Sequence, residues 1–272
     1  MIQRAVPRTG ELLPVIGLGT WQTFDVGPAE YDSRARVLAR FVELGGRLVD
    51  SSPMYGQAET VVGAISTRLP SPGSLFLATK VWIRGRDEGR AQMQASRDKL
   101  RRPRIDLMQV HNLLDVETHL ETLAEYKALG MVRYIGVTHY TVDAQRQLEP
   151  FLARGDIDFV QFNYSLAVRA AEARLLPLAA EHGVATLINR PFDSGDSFRR
   201  IARAPLPSIA RDLGFQTWAQ LLLKYVISHA AVSCAIPATS DINHLEQNML
   251  AGHDPLPDAA ERAAIVRAWD RA

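Results

Sequence analysis

The chain has 272 residues, which suits one large α/β domain or two ordinary ones. Hydrophobic residues make up 47% and charged residues 22%, a composition that excludes a disordered chain. The net charge is +1, with 31 Lys and Arg against 30 Asp and Glu. This balance gives no electrostatic reason to expect nucleic acid or a membrane as a partner and favours a small-molecule ligand.

The cysteine content and the hydropathy pattern bear on the compartment. The single cysteine, Cys234, lies in the apolar run AAVSCAIP, so we expect a buried, unreactive thiol and no intrachain disulfide. Neither a long apolar stretch nor a basic-then-apolar leader is visible. We therefore expect a cytoplasmic protein without a membrane span, as a monomer or weak oligomer.

Eight short apolar runs recur between Val15 and Pro237. They read VIGLGT, RLVDSS, LFLATK, DLMQVH, YIGVT, FVQFNY, VATLIN and AVSCAIP. Segments with apolar residues at helical spacing separate most of them, as at Ala35, Leu38, Ala39 and Val42 and at Leu120, Leu123, Ala124 and Ala128. Strands that alternate with helices are typical of parallel sheets, and eight such units predict a (β/α)8 TIM barrel. An open doubly wound sheet is the alternative.

Turn residues punctuate these units. Gly45-Gly46 and Gly130 are predicted to end helices, whereas Asp115 with Thr118 and Thr141 with Asp143 are typical of first turns. No low-complexity linker interrupts the chain, so we treat residues 1–272 as a single domain. The opening segment TGELLPVIG is a candidate hairpin at the barrel floor, and residues 193–214 form a long connection after the seventh run.

Polar side chains end three successive runs of the predicted barrel. Asp50 follows the second run with Tyr55 five residues later, Lys80 ends the third and His111 ends the fourth. Each alone has an ordinary structural explanation, such as a helix cap, a loop aromatic, a solvated strand end or a core histidine. Together, a carboxylate, a phenol, an amine and an imidazole at one rim are the groups expected for proton transfer to a carbonyl.

A phenol needs help to act as an acid, because its ordinary pKa is about 10. A Lys80 ammonium about 4 Å from Tyr55 favours the phenolate by roughly 4 kcal/mol at an effective dielectric near 20. We therefore expect the pKa of Tyr55 to be lowered by up to about 3 units, tempered by the carboxylate of Asp50. His111 is expected to donate a second hydrogen bond to the substrate oxygen.

In order and approximate spacing, these four residues resemble the Asp-Tyr-Lys-His tetrad of the aldo-keto reductase family. The matching segments are residues 50–56, ATKV and MQVH, and GLGTW, YIGVT, QFNYS and IPATSDINHLEQN resemble further family segments. The resemblance covers nearly the whole chain. It implies a (β/α)8 barrel that reduces an aldehyde, ketone or aldose with NAD(P)H, without the GxGxxG loop that this sequence lacks.

The resemblance also implies cofactor contacts along the barrel rim. By position these come from Gly19, Thr20, Trp21, Asp50, Thr138, His139, Gln161, Asn189, Arg190, Pro191, Phe192, Ile236, Ala238, Thr239, His244, Gln247 and Asn248. Asp50 is expected at the nicotinamide ribose and Gln161 at the carboxamide, with Thr138 and His139 in place of the usual Ser-Asn pair. Asn189 stands where many members carry a stacking aromatic ring, for which Phe192 is a candidate replacement.

Charged side chains near the cofactor's phosphates depart further from the family pattern. Arg190, Arg199 and Arg200 are candidate pyrophosphate contacts or ordinary solvated side chains. Ala238 and His244 replace the Lys and Arg that usually hold the 2′-phosphate, while Thr239, Gln247 and Asn248 remain polar. Since an imidazole does not replace a bidentate guanidinium, the sequence predicts weakened NADPH preference, with NADH use or dual specificity.

The expected substrate pocket is lined by Trp21, Met54, Tyr55, Trp82 and His111. It is expected to be open, because no long family-type loop follows the helical stretch from Pro257 to Trp269. Two other functions compete: a nicotinamide-binding regulatory subunit with little turnover, and a metal-dependent barrel hydrolase. The sequence shows no His-x-His or comparable ligand cluster, so no metal site is predicted.

Overall fold

The computed structural model describes all 272 residues. The strands are β1 (Gln3–Ala5), β2 (Leu12–Pro14), β3 (Leu18–Gly19), β4 (Leu48–Asp50), β5 (Phe76–Val81), β6 (Ile105–His111), β7 (Val132–Thr138), β8 (Phe159–Asn163), β9 (Ala185–Asn189) and β10 (Cys234–Ala235). The helices are α1 (Tyr31–Glu43), α2 (Ala58–Ser66), α3 (Arg86–Leu100), α4 (Val116–Ala128), α5 (Gln145–Arg154), α6 (Leu175–Glu181), α7 (Asp196–Arg200), α8 (Ser208–Asp212), α9 (Trp218–Ile227), α10 (Ile242–Ala251) and α11 (Ala259–Arg271).

The eight predicted strands, β3 to β10, pair in parallel and in chain order. Bridges join Ile16 to Ala235 and Gly19 to Ala238, and the Gly17 amide donates to the Ala235 carbonyl at 2.8 Å. The first and last strands therefore meet and the sheet closes on itself. This arrangement confirms the predicted (β/α)8 barrel and excludes a doubly wound sheet, in which the strand order reverses.

The N-terminal hairpin fills one end of the barrel. Strands β1 and β2 pair antiparallel, with Gln3 opposite Pro14. Val6 and Leu13 are buried in one cluster with the barrel's inward-facing Phe76, Tyr134 and Phe159. The predicted hairpin at the barrel floor is thus confirmed, and its side chains close the end opposite the catalytic rim.

The predicted helices lie where the sequence placed them, but the predicted buried face of α4 is only partly right. In α4 the buried face is His119, Leu120, Thr122 and Leu123, whereas Ala124 and Ala128 are exposed, so that part of the pattern was wrong. The buried face includes a polar contact that apolar periodicity does not encode, since the His119 ring Nε2 lies 2.6 Å from the Ile83 carbonyl.

The predicted glycines mark the helix ends more accurately than the predicted capping side chains do. Gly45 and Gly130 adopt φ of 87° and 72° just after α1 and α4, as predicted. Thr141 and Asp143 precede α5, which begins at Gln145. The connection after β9 is not a plain loop, since it contains α7 and α8.

The remaining sequence predictions concern the thiol and the membrane. Cys234 is buried, and burial raises the pKa of its thiol, in agreement with an unreactive group. None of the helices combines the length and the apolar character needed to cross a bilayer.

Candidate active site

Three neighbouring strands bring the predicted acid–base residues to one rim. Asp50 is the last residue of β4, Lys80 lies next to the end of β5 and His111 ends β6. Because these strands are parallel neighbours, their carboxyl ends open at the same rim. Tyr55 follows in the turn after β4, where its amide donates to the Ser52 carbonyl at 3.0 Å.

Lys80 and Asp50 form a buried ion pair. The Lys80 Nζ donates to Asp50 Oδ2 and to the Ser51 carbonyl, both at 2.7 Å. Neither side chain reaches solvent appreciably, with side-chain exposures of 0% and 3%. Burial opposes the charge on Lys80, but the adjacent Asp50 carboxylate prevails and raises the pKa of the amine, which stays charged at neutral pH.

Asp50 is further held by two amides. Gln161 Nε2 donates to Asp50 Oδ1 at 2.9 Å and Gln109 Nε2 donates to it at 3.3 Å. The carboxylate therefore has a donor on each oxygen, which satisfies its charge inside the barrel. Gln109 was not among the predicted site residues, although it occupies an inward position of β6 beside Lys80 in the sheet register.

Tyr55 lies beside this ion pair. The Lys80 Nζ is 5.0 Å from the centre of the Tyr55 ring. Burial raises the pKa of the Tyr55 phenol, and the opposing effect of Lys80 does not cancel it, while Asp50 raises it further. The expectation of a lowered pKa was therefore wrong: the depth of burial outweighs the ammonium, and the group is a fully protonated phenol at neutral pH.

His111 is the fourth group of this cluster. Burial, followed by the charge of Lys80, lowers the pKa of His111 to about 3, so the imidazole is neutral at physiological pH. Its Nδ1 atom is buried without a hydrogen-bond partner. The ring packs edge-on against Trp82 with centroids 6.2 Å apart. A neutral imidazole has one N–H to donate, which suits it to a hydrogen bond with a carbonyl oxygen.

These groups face a cavity of about 550 Å³ at the rim. From the predicted set its wall includes Gly19, Thr20, Trp21, Asp50, Met54, Tyr55, Trp82, His111, Gln161, Asn189, Arg190, Pro191, Phe192, Ile236 and Ala238. Lys80 lies behind this wall. Trp21 and Met54 are 40% and 44% exposed, so both apolar side chains stand at the mouth of the cavity.

An amide cluster forms another part of the wall. The Gln161 Oε1 accepts from Thr138 Oγ1 at 3.1 Å and from Asn189 Nδ2 at 3.4 Å. The Asn189 Oδ1 atom is buried without a partner. A buried acceptor beside a cavity fits a ligand that carries amide N–H groups, such as the carboxamide of a nicotinamide.

The structure does not place Thr138 and His139 on the cavity wall. Thr138 acts through its bond to Gln161, and the His139 Nδ1 accepts from the backbone amide of Tyr140 at 3.0 Å. The expected direct contacts of these two residues are therefore missing from this arrangement. Their effect on the cavity passes through Gln161 and Tyr140.

A second cavity of about 410 Å³ adjoins the first, and the two share Phe192, Phe198 and Ala238. It contains the other polar residues of the predicted set, namely Thr239, His244, Gln247 and Asn248. Asp241 caps α10 by accepting from the His244 amide at 3.0 Å, which adds a carboxylate at this end. The two cavities together form an elongated site that suits an extended dinucleotide.

Several wall residues escaped the sequence analysis. Asn112 and Tyr140 line the main cavity. Asn112 directly follows β6 and Tyr140 lies two residues after β7, so their positions at strand ends were a usable signal. Phe198 lies in α7, with its ring 4.9 Å from that of Phe192, and nothing in the sequence pattern pointed to it. The structure brings together no group of three or more histidine, cysteine or carboxylate side chains around a common point.

Comparisons of the sequence and of the structure with known proteins point to the same family. The profile described as "Aldo/keto reductase family" matches residues 15–269. The chain is 26% identical to the methylglyoxal reductase DkgB of Yersinia pestis, over 93% of this chain and 92% of that protein. It is 28% identical to the NADH-specific methylglyoxal reductase of Escherichia coli (strain K12), over 72% of this chain and 69% of that protein.

A further match, to the aldo-keto reductase YhdN of Bacillus subtilis (strain 168), is 28% identical over 68% of this chain and spans only 60% of that protein. Among solved structures, an aldo/keto reductase from Klebsiella pneumoniae in complex with NADP and acetate superposes with a TM-score of 0.85. It is 26% identical, and the match covers 99% of this chain and 96% of that one.

Proposed function

The chain belongs to the aldo/keto reductase family and is an NAD(P)H-dependent oxidoreductase, and on this premise we propose that Tyr55 protonates the carbonyl oxygen of a small aldehyde or ketone. The observation that carries the proposal is the contact of Tyr55 with the buried pair of Lys80 and Asp50 at the wall of the main cavity. When bound, NAD(P)H supplies the hydride that adds to the carbonyl carbon.

The Tyr55 hydroxyl is the donor in this scheme. As the C=O bond becomes a C–O single bond, its oxygen takes the proton from Tyr55, and the phenolate left behind is stabilised by the Lys80 ammonium. Asp50 keeps Lys80 charged and fixed in place through the 2.7 Å bond. A proton from solvent then restores the phenol.

His111 orients the substrate. Its neutral imidazole lines the cavity and offers one N–H to the carbonyl oxygen, with Trp82 packed edge-on against the ring to hold its plane. A neutral donor suits this task, because a charged imidazolium beside Lys80 would meet like-charge repulsion. Trp21 and Met54 supply apolar surface for the rest of the substrate.

The residues present fit a nicotinamide cofactor. The unpaired Asn189 Oδ1 and the neighbouring Gln161 suit the carboxamide. The second cavity suits the adenosine end, with Thr239, Gln247 and Asn248 as polar contacts. Gly19, Thr20 and Ile236 belong to the wall between the barrel's first and last strands.

The second cavity also supports the weakened preference for NADPH. It contains the imidazole of His244 and the methyl group of Ala238, and the Asp241 carboxylate stands beside His244. No arginine or lysine lines this cavity. A 2′-phosphate in this cavity therefore lacks a bidentate partner. NADH use by a relative, the NADH-specific methylglyoxal reductase of E. coli (strain K12), is in line with this proposal.

The substrate class follows from the size and chemistry of the main cavity together with the relatives. Two of them are named methylglyoxal reductases. A cavity of about 550 Å³ that combines apolar and polar side chains is of the size that holds small molecules. Small aldehydes and ketones, including 2-oxoaldehydes, and aldoses are the candidates.

The test is Tyr55→Phe, assayed by nicotinamide absorbance with methylglyoxal, neutral aldehydes and aldoses. Loss of the hydroxyl should lower kcat by about 100-fold to 10,000-fold, while the cofactor Kd, measured by fluorescence, stays within about threefold because that hydroxyl only meets the substrate. Tyr126→Phe, on α4 away from both cavities, is the matched control. Retention of activity in Tyr55→Phe would mean that another acid is used.

A further inference from the structure

The positive charge of Arg190, at the wall of the main cavity, has no partner in the protein. Of the residues that line the main cavity, only Asp50 and Arg190 carry a permanent charge, and Asp50 is paired with Lys80. Arg190 takes part in no salt bridge and its side chain donates no hydrogen bond. Its guanidinium therefore brings an uncompensated positive charge to the wall that also holds Tyr55 and His111.

Aromatic rings hold this guanidinium in place. Its central carbon lies over the Tyr140 ring at 4.3 Å from the centroid and over the Trp21 ring at 5.9 Å. Tyr140 in turn stacks on His139, with ring centroids 5.5 Å apart and planes inclined by 19°. Stacking engages the face of a guanidinium and leaves the N–H groups at its edge free. Those donors suit a planar anion such as a carboxylate.

The backbone at Arg190 is also unusual. Its φ is 50°, in the left-handed region that favours glycine. Asp193 and Ser194, later in the same turn, also lie in this region, with φ of 50° and 55°. The Asp193 amide donates to the Arg190 carbonyl at 2.8 Å and helps to maintain the turn.

We propose, on the basis of the proposed reductase function, that Arg190 binds an anionic group of the substrate, so that the preferred substrates are aldehydes or ketones that carry a carboxylate. The alternative source of an anion is the cofactor's pyrophosphate. Two observations favour the substrate. Arg190 lines the cavity that also holds Tyr55 and His111, and its guanidinium lies over the ring of Trp21, a residue at the mouth of that cavity.

The position of Arg190 relative to the proton donor agrees with this role. Arg190 and Tyr55 line the same cavity. An anion bound at Arg190 therefore occupies the cavity that also holds the proposed proton donor. Binding the substrate's charge far from the reacting atoms supplies orientation.

The test compares 4-carboxybenzaldehyde with 4-carbamoylbenzaldehyde, two aldehydes of equal size that differ in one charge. The wild-type protein should have the higher kcat/KM with the carboxylate. In Arg190→Met the ratio of the two kcat/KM values should fall by about tenfold or more, and Arg190→Lys should recover part of it. Arg203→Met is the matched control, because this exposed arginine of the same connection lies outside both cavities.

Two results of this assay would overturn the inference. One is an unchanged ratio in Arg190→Met. The other is an equal loss with both aldehydes together with a cofactor Kd weakened by about tenfold or more, which would assign Arg190 to the cofactor's phosphates.

Binding of benzoate against benzamide, followed by tryptophan fluorescence, requires no turnover. If the wild-type protein reduces neither aldehyde, the proposed function fails. Loss of benzoate binding in Arg190→Met would still support the anion site in that case, and unchanged binding would reject it.

Discussion

Lys80 and Asp50 lie 2.7 Å apart with both side chains closed off from solvent. Removal of one partner leaves the other as an unpaired buried charge, which lowers the free energy of unfolding by about 3–5 kcal/mol. The pair thus couples stability to the proposed proton transfer, since the same ammonium faces the Tyr55 ring.

We expect Lys80→Met to affect both properties. The free energy of unfolding should fall by about 3 kcal/mol, at the lower end of the range for broken buried pairs, because Gln161 and Gln109 still donate to Asp50. The kcat should fall by about 100-fold or more, because the phenolate then loses the Lys80 ammonium that stabilises it. Urea unfolding and steady-state assays measure the two effects. The double variant Lys80→Met with Asp50→Asn should regain stability without regaining kcat, and recovery of both would reject the role of the ammonium.

The neutral state of His111 predicts a pH dependence of stability. Its folded pKa of about 3 lies below the unfolded value, so the unfolded chain takes up this proton first as the pH falls. The contribution to stability is complete above about pH 6.5 and is lost progressively towards pH 3. His111→Asn should flatten the decline by up to about 1.4 kcal/mol per pH unit. Urea midpoints of both proteins between about pH 5 and 6.5 measure this. Parallel curves would mean that His111 titrates normally.

Cofactor preference is expected to respond to a single guanidinium in the second cavity. The wild-type preference for NADPH over NADH, as a ratio of kcat/KM, should lie well below about 1,000-fold, or about 4 kcal/mol. His244→Arg should raise that ratio by about tenfold or more, through pairing with the 2′-phosphate. Asn243→Arg adds the same charge at a neighbouring exposed position outside the cavity and serves as the control. If both variants raised the ratio equally, the effect would come from general charge attraction and not from a contact with the 2′-phosphate.

The packing of α2 on α3 offers a test of the fold that leaves the rim untouched. A Cβ added at Gly63 would lie 2.0 Å from the Lys99 carbonyl, a backbone atom that cannot move aside. Gly63→Ala should therefore lower the free energy of unfolding by about 2–3 kcal/mol, measured by urea denaturation. Gly27→Ala, where nothing lies within 4 Å and φ is −79°, should change it by less than about 0.5 kcal/mol. A similar small change at Gly63 would contradict the close approach.

The sequence sufficed for the barrel and for the four residues at its rim. Apolar runs identify strands, and strand ends in a parallel barrel meet, so Asp50, Lys80 and His111 are neighbours by topology alone. The sign of the Tyr55 pKa shift was out of reach, because it depends on how deeply the ring is buried. The stacking of Arg190 between Trp21 and Tyr140 joins three distant points of the chain, a relation that no local pattern encodes.

The hairpin at the barrel floor limits the routes by which substrate can enter and product can leave. With Val6 and Leu13 sealed among Phe76, Tyr134 and Phe159, the barrel has no passage at that end. Reactant and product must therefore enter and leave on the rim side, where Trp21 and Met54 stand at the mouth of the main cavity. Because entry and exit share this side, a bulky molecule bound at the cavity mouth would hinder substrate binding and product release together.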